Sequence, residues 1–230
     1  MVKALIRNLG ISLRSVDLSR YAYRRLDKRK LRWPFRLMRH PFAALYEIKY
    51  EGMGSLSLAH VLLLLFFLNN VIRYSARGFL FNTNLPEKFS FPLQLAVSFL
   101  PVLLWCVSLW AASALFDGEG RFREIYITSA YALLPILVFS APEILLSNVL
   151  LLEEGVFLSL LTAVGALWTL LLFVINTLVV EQFTLKRTIA CMLTAVGFLL
   201  LIVFIGVLLF NFIQQMLGFI QTVLKEILFL

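Results

Sequence analysis

Five long runs of apolar residues occupy most of the chain after residue 55. Each run has at least 19 residues, and a helix needs about 20 mostly apolar residues to cross a bilayer. Backbone polar groups cannot stay unpaired in hydrocarbon, so these runs must be helical. The alternation of a membrane β-barrel is absent. The runs are Leu56–Tyr74, Leu93–Phe116, Ile125–Leu152, Val156–Val180 and Ile189–Phe212. The sequence therefore predicts an all-α membrane protein, a bundle of about five transmembrane helices.

The charges are concentrated at the N-terminal end of the chain. Hydrophobic residues make up 61% of the sequence, against about 45–50% in a soluble domain. Residues 1–54 hold 13 of the 21 Lys and Arg but only 4 of the 13 Asp and Glu. The first apolar run begins only at Leu56, so we expect an uncleaved anchor rather than a cleavable signal peptide.

The distribution of basic residues predicts the orientation of the spans. Short loops on the cytoplasmic side of a membrane carry an excess of Lys and Arg. With a cytoplasmic N-terminus, 17 basic residues lie inside and 4 lie outside, and the inverted topology reverses this ratio. We therefore expect a multi-pass protein of the plasma membrane, with its N-terminus in the cytoplasm and its C-terminus outside.

Residues 1–54 are predicted to form a basic cytoplasmic arm on the membrane surface, ahead of the five-span domain of residues 55–212. Its basic side chains include Arg24, Arg25, Lys28, Arg29, Lys30 and Arg32. Each Lys or Arg near an anionic surface contributes about 1 kcal/mol to binding. Nucleic acid attracts the same mixture of basic and aromatic residues. The spans tether the arm beside lipid headgroups, so we expect anionic headgroups to be its ligand and no nucleic acid partner.

Residues 213–230 carry apolar side chains at helical spacing on one side only. Ile213, Leu217, Ile220 and Leu224 belong to this stripe, and polar residues fill the other face. A one-sided stripe is typical of an amphipathic helix lying in the membrane interface. We expect such a helix to lie in the interface on the outer side of the membrane. The alternative is a continuation of the fifth spanning helix.

Three polar residues inside the apolar runs are candidates for a function within the membrane, because such residues are costly there. Glu143 is the one acid embedded in a run, and no second acid or buried base in the sequence obviously pairs with it. Asn69 and Asn70 lie toward the outer end of the first run, where they are able to hydrogen-bond across helices.

The third run carries two prolines that free backbone carbonyls. Pro135 and Pro142 lack an N–H, which leaves the carbonyls of Tyr131 and Val138 without helical partners. These four residues are spaced by four, three and four, so they are predicted to share one face of the helix. We expect that face to pack against another helix or to line a wet cavity. Of the two, packing of a kinked helix against its neighbour is favoured over a pore.

The sequence contains no recognisable catalytic constellation. It has only two histidines, which excludes the usual His-rich metal sites, and it has no phosphate-binding loop of the P-loop type. Cys106 and Cys191 lie inside apolar runs, so we expect buried free thiols rather than a disulfide. We therefore predict a protein without enzymatic activity, cofactor or metal.

A Gly-rich segment joins the second and third runs. It reads Asp-Gly-Glu-Gly-Arg-Phe-Arg-Glu-Ile-Tyr over residues 117–126, and Ala-Tyr-Ala-Leu-Leu-Pro follows at residues 130–135. This segment, with five spans around it, resembles the signature of the Yip domain family, the Ypt/Rab-interacting membrane proteins, in its bacterial branch. The resemblance covers about residues 40–215. It implies a five-helix domain with a cytoplasmic N-terminus and no known catalytic activity.

The resemblance also implies partners among membrane proteins. Eukaryotic members are linked to small GTPases and vesicle traffic, and some bacterial relatives accompany sugar-import systems, so an ABC-type sugar importer is one expected partner. We predict a scaffold or accessory subunit; the alternative is a transporter or channel component in its own right. The predicted partner-binding residues are Asp117, Gly118, Glu119, Gly120, Arg121, Phe122, Arg123, Tyr131, Pro135 and Pro142.

Overall fold

The computed structural model of the protein describes residues 33–82 and 89–228. Eight α-helices and a short 3₁₀ turn at Leu152–Glu154 account for most of this part of the chain. The helices are α1 (Trp33–Arg39), α2 (Pro41–Tyr50), α3 (Leu56–Ala76), α4 (Phe91–Leu115), α5 (Phe122–Ala132), α6 (Leu134–Ser147), α7 (Gly155–Val180) and α8 (Leu185–Leu228). The basic residues of the predicted arm from Arg24 to Arg32 lie outside the described residues.

The prediction of five spans is confirmed for the described part of the chain. Five helical segments are long and apolar enough to cross a membrane: α3, α4, α5 with α6, α7, and α8. The third segment is the centre of the bundle, with 56% of its most apolar stretch buried, against 6% in α8. Helix α5 packs against α3, α4 and α7, α6 packs against α7, and α4 packs against α8.

The third span is broken between α5 and α6 at Leu133. Leu133 ends α5, and Pro135 lies in the first turn of α6, where a proline without an N–H is tolerated. The structure differs from the predicted stripe in one respect. Tyr131 and Pro135 are buried and Pro142 is half-buried, but Val138 is exposed. Because the break resets the helical phase, the four residues do not form one packed face.

Residues 33–54 belong to the helical bundle rather than to a free arm. Leu37 of α1 and the apolar side of α2, which includes Ala44, Leu45 and Ile48, are at most 1% exposed. Helix α2 packs against α7 and α5. Gly52, in the turn after α2, has a φ of 64°, a conformation that glycine adopts without strain. The packed unit therefore begins about 20 residues before the boundary predicted at residue 54.

The C-terminal segment differs from the prediction of a separate interfacial helix. Helix α8 runs without a break from Leu185 to Leu228 over 44 residues, a length of roughly 66 Å. Residues 213–228 continue the fifth spanning helix, which is the alternative to the predicted boundary at residue 212. The reason is local: no proline lies in this stretch, and single glycines do not end a helix.

The hydroxyl of Tyr131 ties the core to the start of the first span. It accepts a hydrogen bond from the backbone N–H of Ser55 at 3.0 Å and donates one to the Ser55 carbonyl at 3.2 Å. Both residues are fully buried. Ser55 is also the N-cap of α3, since its Oγ accepts from the Leu58 N–H. One side chain therefore satisfies two buried backbone groups at the entry to α3.

Replacing Tyr131 by Phe should destabilise the protein by about 1–3 kcal/mol, because it leaves the Ser55 N–H buried and unpaired. The Ser55 carbonyl keeps its bond from the Ala59 N–H. The free energy of unfolding, measured by titration with a denaturing detergent, checks this. Tyr126→Phe is the matched control, because the Tyr126 ring is only partly buried. Equal stability of the two variants would contradict the role given to the Tyr131 hydroxyl.

Candidate partner-binding site

The segment between α4 and α5, residues 116–121, forms a tight turn that we call the join. The N–H of Gly118 donates to the Ser113 carbonyl at 2.9 Å, which closes the end of α4. Asp117 has a φ of 55°, in the left-handed region that few residues other than glycine and asparagine or aspartate occupy. At the other side of the join, the carboxylate of Glu124 accepts from the Arg121 N–H at 3.3 Å and caps the start of α5.

A buried carboxylate lies directly beneath the join. Glu181, the first residue after α7, is 1% exposed, and its Oε2 accepts a hydrogen bond from the Gly120 N–H at 3.0 Å. A Cβ added to Gly118 or to Gly120 would collide with the oxygens of this carboxylate. The two glycines of the join are therefore needed for close approach to Glu181, and together they fix the shape of the turn.

Lys49 connects α2 to the same cluster. Its ammonium group donates to the Val180 carbonyl at 2.7 Å and lies 3.5 Å from the carboxylate of Glu119. The Lys49 side chain is 9% exposed and that of Glu119 is 67% exposed. The lysine thus satisfies the carbonyl end of α7, which favours a positive charge, and it brings a cation close to the buried Glu181.

Burial raises the pKa of the Glu181 carboxyl above its ordinary value. The hydrogen bond from Gly120 and the charge of Lys49 act in the opposite direction, because both favour the ionised form. Beside the join, the ring of Phe183 packs edge-on against that of Phe116. The cluster therefore holds a polar group in an apolar surrounding by specific hydrogen bonds rather than by hydration.

Four side chains of the predicted site are exposed around the join: Asp117, Glu119, Arg121 and Phe122. Phe122 is 40% exposed, and its ring packs edge-on against Trp110 at 6.1 Å between centroids. Gly118, Gly120 and Arg123 are half-buried. The structure therefore brings charged and aromatic groups together on one turn whose backbone is held from below. We call these four residues the join surface.

The other three residues predicted for this site lie elsewhere. Tyr131 and Pro135 are buried in the core and Pro142 is half-buried in α6. A side chain at 0% exposure, as Tyr131 is, offers no surface to a partner. The structure thus gives Tyr131 and Pro135 a role in packing, which is a correction to the predicted site.

Glu143 lies near the opposite end of the bundle from the join and has two cationic neighbours. Its carboxylate is 1% exposed and lies 3.3 Å from Arg73 and 3.2 Å from Arg77. The expectation that no base pairs with Glu143 was wrong. Both arginines were counted only among the four basic residues outside, but Arg73 in the last turn of α3 and Arg77 directly after it lie beside the third span. We call this part of the bundle the arginine end.

Asn69 and Asn70 form the hydrogen bonds across helices that the sequence predicts. The Oδ1 of Asn69 accepts from the Ser140 hydroxyl of α6 at 2.6 Å. The amide of Asn70 donates to the Ser98 hydroxyl of α4 at 3.0 Å. Each bond joins α3 to a neighbouring span within the apolar part of the bundle, so both asparagines fasten helices together.

No group of three or more His, Cys, Asp or Glu side chains among residues 33–82 and 89–228 is arranged to hold a metal ion. Cys106 and Cys191 are buried free thiols, as predicted. The join exposes charged side chains and one aromatic ring.

The sequence of the chain matches a known family. The sequence model of the Yip1 domain family matches residues 35–208 of the chain. The chain belongs to the Yip1 domain family. This family consists of non-enzymatic, multi-pass membrane proteins. Comparisons of this Yip1 domain protein with curated proteins and with solved structures gave no significant match.

Sequence reasoning missed Glu181 and Lys49, the two residues that hold the join in the Yip1 domain. The available signal was an acid placed directly after an apolar run, together with a Gly-x-Gly turn at the same predicted end of the bundle. Neither feature specifies a contact by itself, since the two lie 61 residues apart. Only the packing of α7 beside α5 brings them together.

Replacing Gly120 by Ala should destabilise the protein by about 1–3 kcal/mol, because the new methyl group meets the Glu181 carboxylate. The free energy of unfolding measures this loss. Gly206→Ala is the matched control, since a Cβ there has nothing within 4 Å and alanine suits a helix better than glycine.

A double-mutant cycle then tests the cause of that loss. In a Glu181→Ala background the clash is gone, so Gly120→Ala should cost less, with a coupling energy of about 1 kcal/mol or more. If Gly120→Ala costs the same in both backgrounds, Glu181 does not set the shape of the join.

Proposed function

We propose that this protein is a non-enzymatic scaffold or accessory subunit that binds another integral membrane protein through the join surface. The observation that carries the proposal is the combination of exposed side chains with a fixed backbone. Asp117, Glu119, Arg121 and Phe122 project from a turn whose own N–H groups are bonded to Ser113, Glu124 and the buried Glu181.

A fixed turn favours binding because little conformational entropy is lost when a partner docks. Charged residues and an exposed aromatic ring are the groups that binding surfaces use for specificity and for affinity. The buried part of the cluster does not touch a partner. Its role is to hold the exposed part in one conformation, as a rigid scaffold does for a functional loop.

The charge distribution supports a cytoplasmic position for the join. The join lies at the same end of the bundle as α2 and the start of α8, where Lys49, Arg121, Arg123, Lys186 and Arg187 are placed. Excess basic charge is typical of the cytoplasmic side. We therefore place the N-terminus and the join in the cytoplasm and the C-terminus outside, in the plasma membrane.

The partner that suits this surface is a membrane protein with its own cytoplasmic loops, such as a subunit of a transport system. An ABC-type sugar importer remains one proposed partner. The alternative, a transporter in its own right, relied on Glu143 as an unpaired acid in the membrane. With Arg73 and Arg77 beside it, Glu143 fits better as a structural ion-pair site than as a relay.

Reversing the charge of Arg121, with Phe122→Ala in the same chain, should reduce co-purification of a membrane-protein partner at least tenfold. The physical reason is the loss of a charge pair and of an aromatic contact, each worth about 1 kcal/mol or more at an interface. Quantitative mass spectrometry of affinity-purified protein in mild detergent measures the ratio of partner to bait.

The control is a charge reversal at Glu153 and Glu154, which are exposed at the opposite end of α7. This variant should keep the partner ratio of the wild type. If both variants retain the same membrane-protein partners in the same amounts, the join is not the binding surface.

A further inference from the structure

A groove of about 460 Å³ runs along the outside of α3 and ends beside α1. Leu58, Val61, Leu65 and Leu68 form one wall, Val138 of α6 belongs to the opposite wall, and Pro34 and Phe35 of α1 close one end. Its volume is in the range of small-molecule sites, about 300–1,000 Å³. The groove differs from an ordinary lipid-facing helix surface because three helices give it walls and an end.

The length of the groove matches one leaflet of a bilayer. From Leu58 to Asn69 its lining on α3 covers roughly 17 Å along the helix axis. The hydrocarbon core of a bilayer is about 30 Å thick, so an acyl chain of one leaflet covers roughly half of that. A single extended chain therefore fits along the groove from its open end to α1.

Asn69 supplies a polar group near the open end of the groove. Its Oδ1 is bonded to Ser140, but its Nδ2 is buried and has no hydrogen-bond partner. Asn69 also lines the groove. An unpaired donor in an apolar groove calls for an acceptor from a ligand, because a buried polar group without a partner is costly.

Two positively charged residues follow Asn69 toward the open end of the groove. Arg73 follows Asn69 on α3 after four residues, roughly 6 Å along the helix, and Arg77 is the residue directly after the end of α3. Both arginines are about 30% exposed and share the single carboxylate of Glu143. The Nε of Arg77 has no hydrogen-bond partner. The arginine end therefore keeps a net positive charge and a free donor for an anion.

We propose that this groove binds one phospholipid from the leaflet at the arginine end. One acyl chain lies in the groove against α3 and α6, its ester carbonyl accepts from Asn69 Nδ2, and its phosphate lies at Arg77. Arg77, Asn69 and the apolar lining of the groove come in the same order as the phosphate, the ester and the acyl chain of a phospholipid. The site is independent of the join, and its phosphate end lies at the other end of the bundle.

Native mass spectrometry of the full chain in detergent, titrated with palmitoyl-oleoyl phosphatidylglycerol, tests the proposal. The wild type should bind one lipid saturably. Leu65→Trp fills the groove and should abolish this binding, whereas Leu64→Trp, an exposed neighbour that does not line the groove, should leave it unchanged. Asn69→Leu and Arg77→Gln should each weaken binding about tenfold, the effect of one lost hydrogen bond.

Dioleoylglycerol, which has the chains and esters but no phosphate, should bind at least tenfold more weakly than phosphatidylglycerol, and Arg77→Gln should not weaken it further. Equal binding of phosphatidylglycerol to Leu65→Trp and Leu64→Trp would overturn the proposal. So would conversion of a dimer into a monomer by Leu65→Trp in the same spectra, since that assigns the groove to a second copy of the chain.

Discussion

The buried carboxylate of Glu181 is the contact on which the join depends. It receives the N–H of Gly120 and lies so close to Gly118 and Gly120 that neither position accepts a side chain. Glu181 follows α7 directly, so its carboxylate fastens the turn between α4 and α5 to α7 as well. Lys49 of α2 adds a fourth element by bonding the last carbonyl of α7. A loop that is usually mobile thereby becomes part of the packed structure, which is what a binding surface needs.

Backbone polar groups in an apolar bundle explain much of the remaining architecture. The break at Leu133 lies in the span that is best shielded by its neighbours, and the Leu133 N–H closes the end of α5 by donating to the Ala130 carbonyl at 3.4 Å. The hydroxyl of Tyr131 satisfies the backbone of Ser55 where α3 begins. Toward the other end, Asn69 and Asn70 bond across helices, and Glu143 meets two arginines. Tyr131, Asn69, Asn70 and Glu143 each connect one span to another.

The sequence predicted the spans well because hydrophobic length is a local property, and the first four runs agree with the helices to within about five residues. It failed where a contact joins distant residues. Arg73, at the end of the first run, was counted only as a basic residue on the outer side, yet it lies beside Glu143 of another span. Glu181 could not be predicted as a contact, because a single acid after an apolar run does not specify a partner. The boundary at residue 212 failed because amphipathicity does not show whether a helix bends or continues.

The central claim is that the join surface contacts another membrane protein in the native membrane. Site-specific photo-crosslinking tests this most directly, with a photoreactive residue at position 119 or 122 and, for comparison, at position 153. The account predicts that positions 119 and 122 crosslink to the same integral membrane protein and that position 153 does not. Equal crosslinking of that protein from position 153, or crosslinks from positions 119 and 122 to lipid alone, would contradict it.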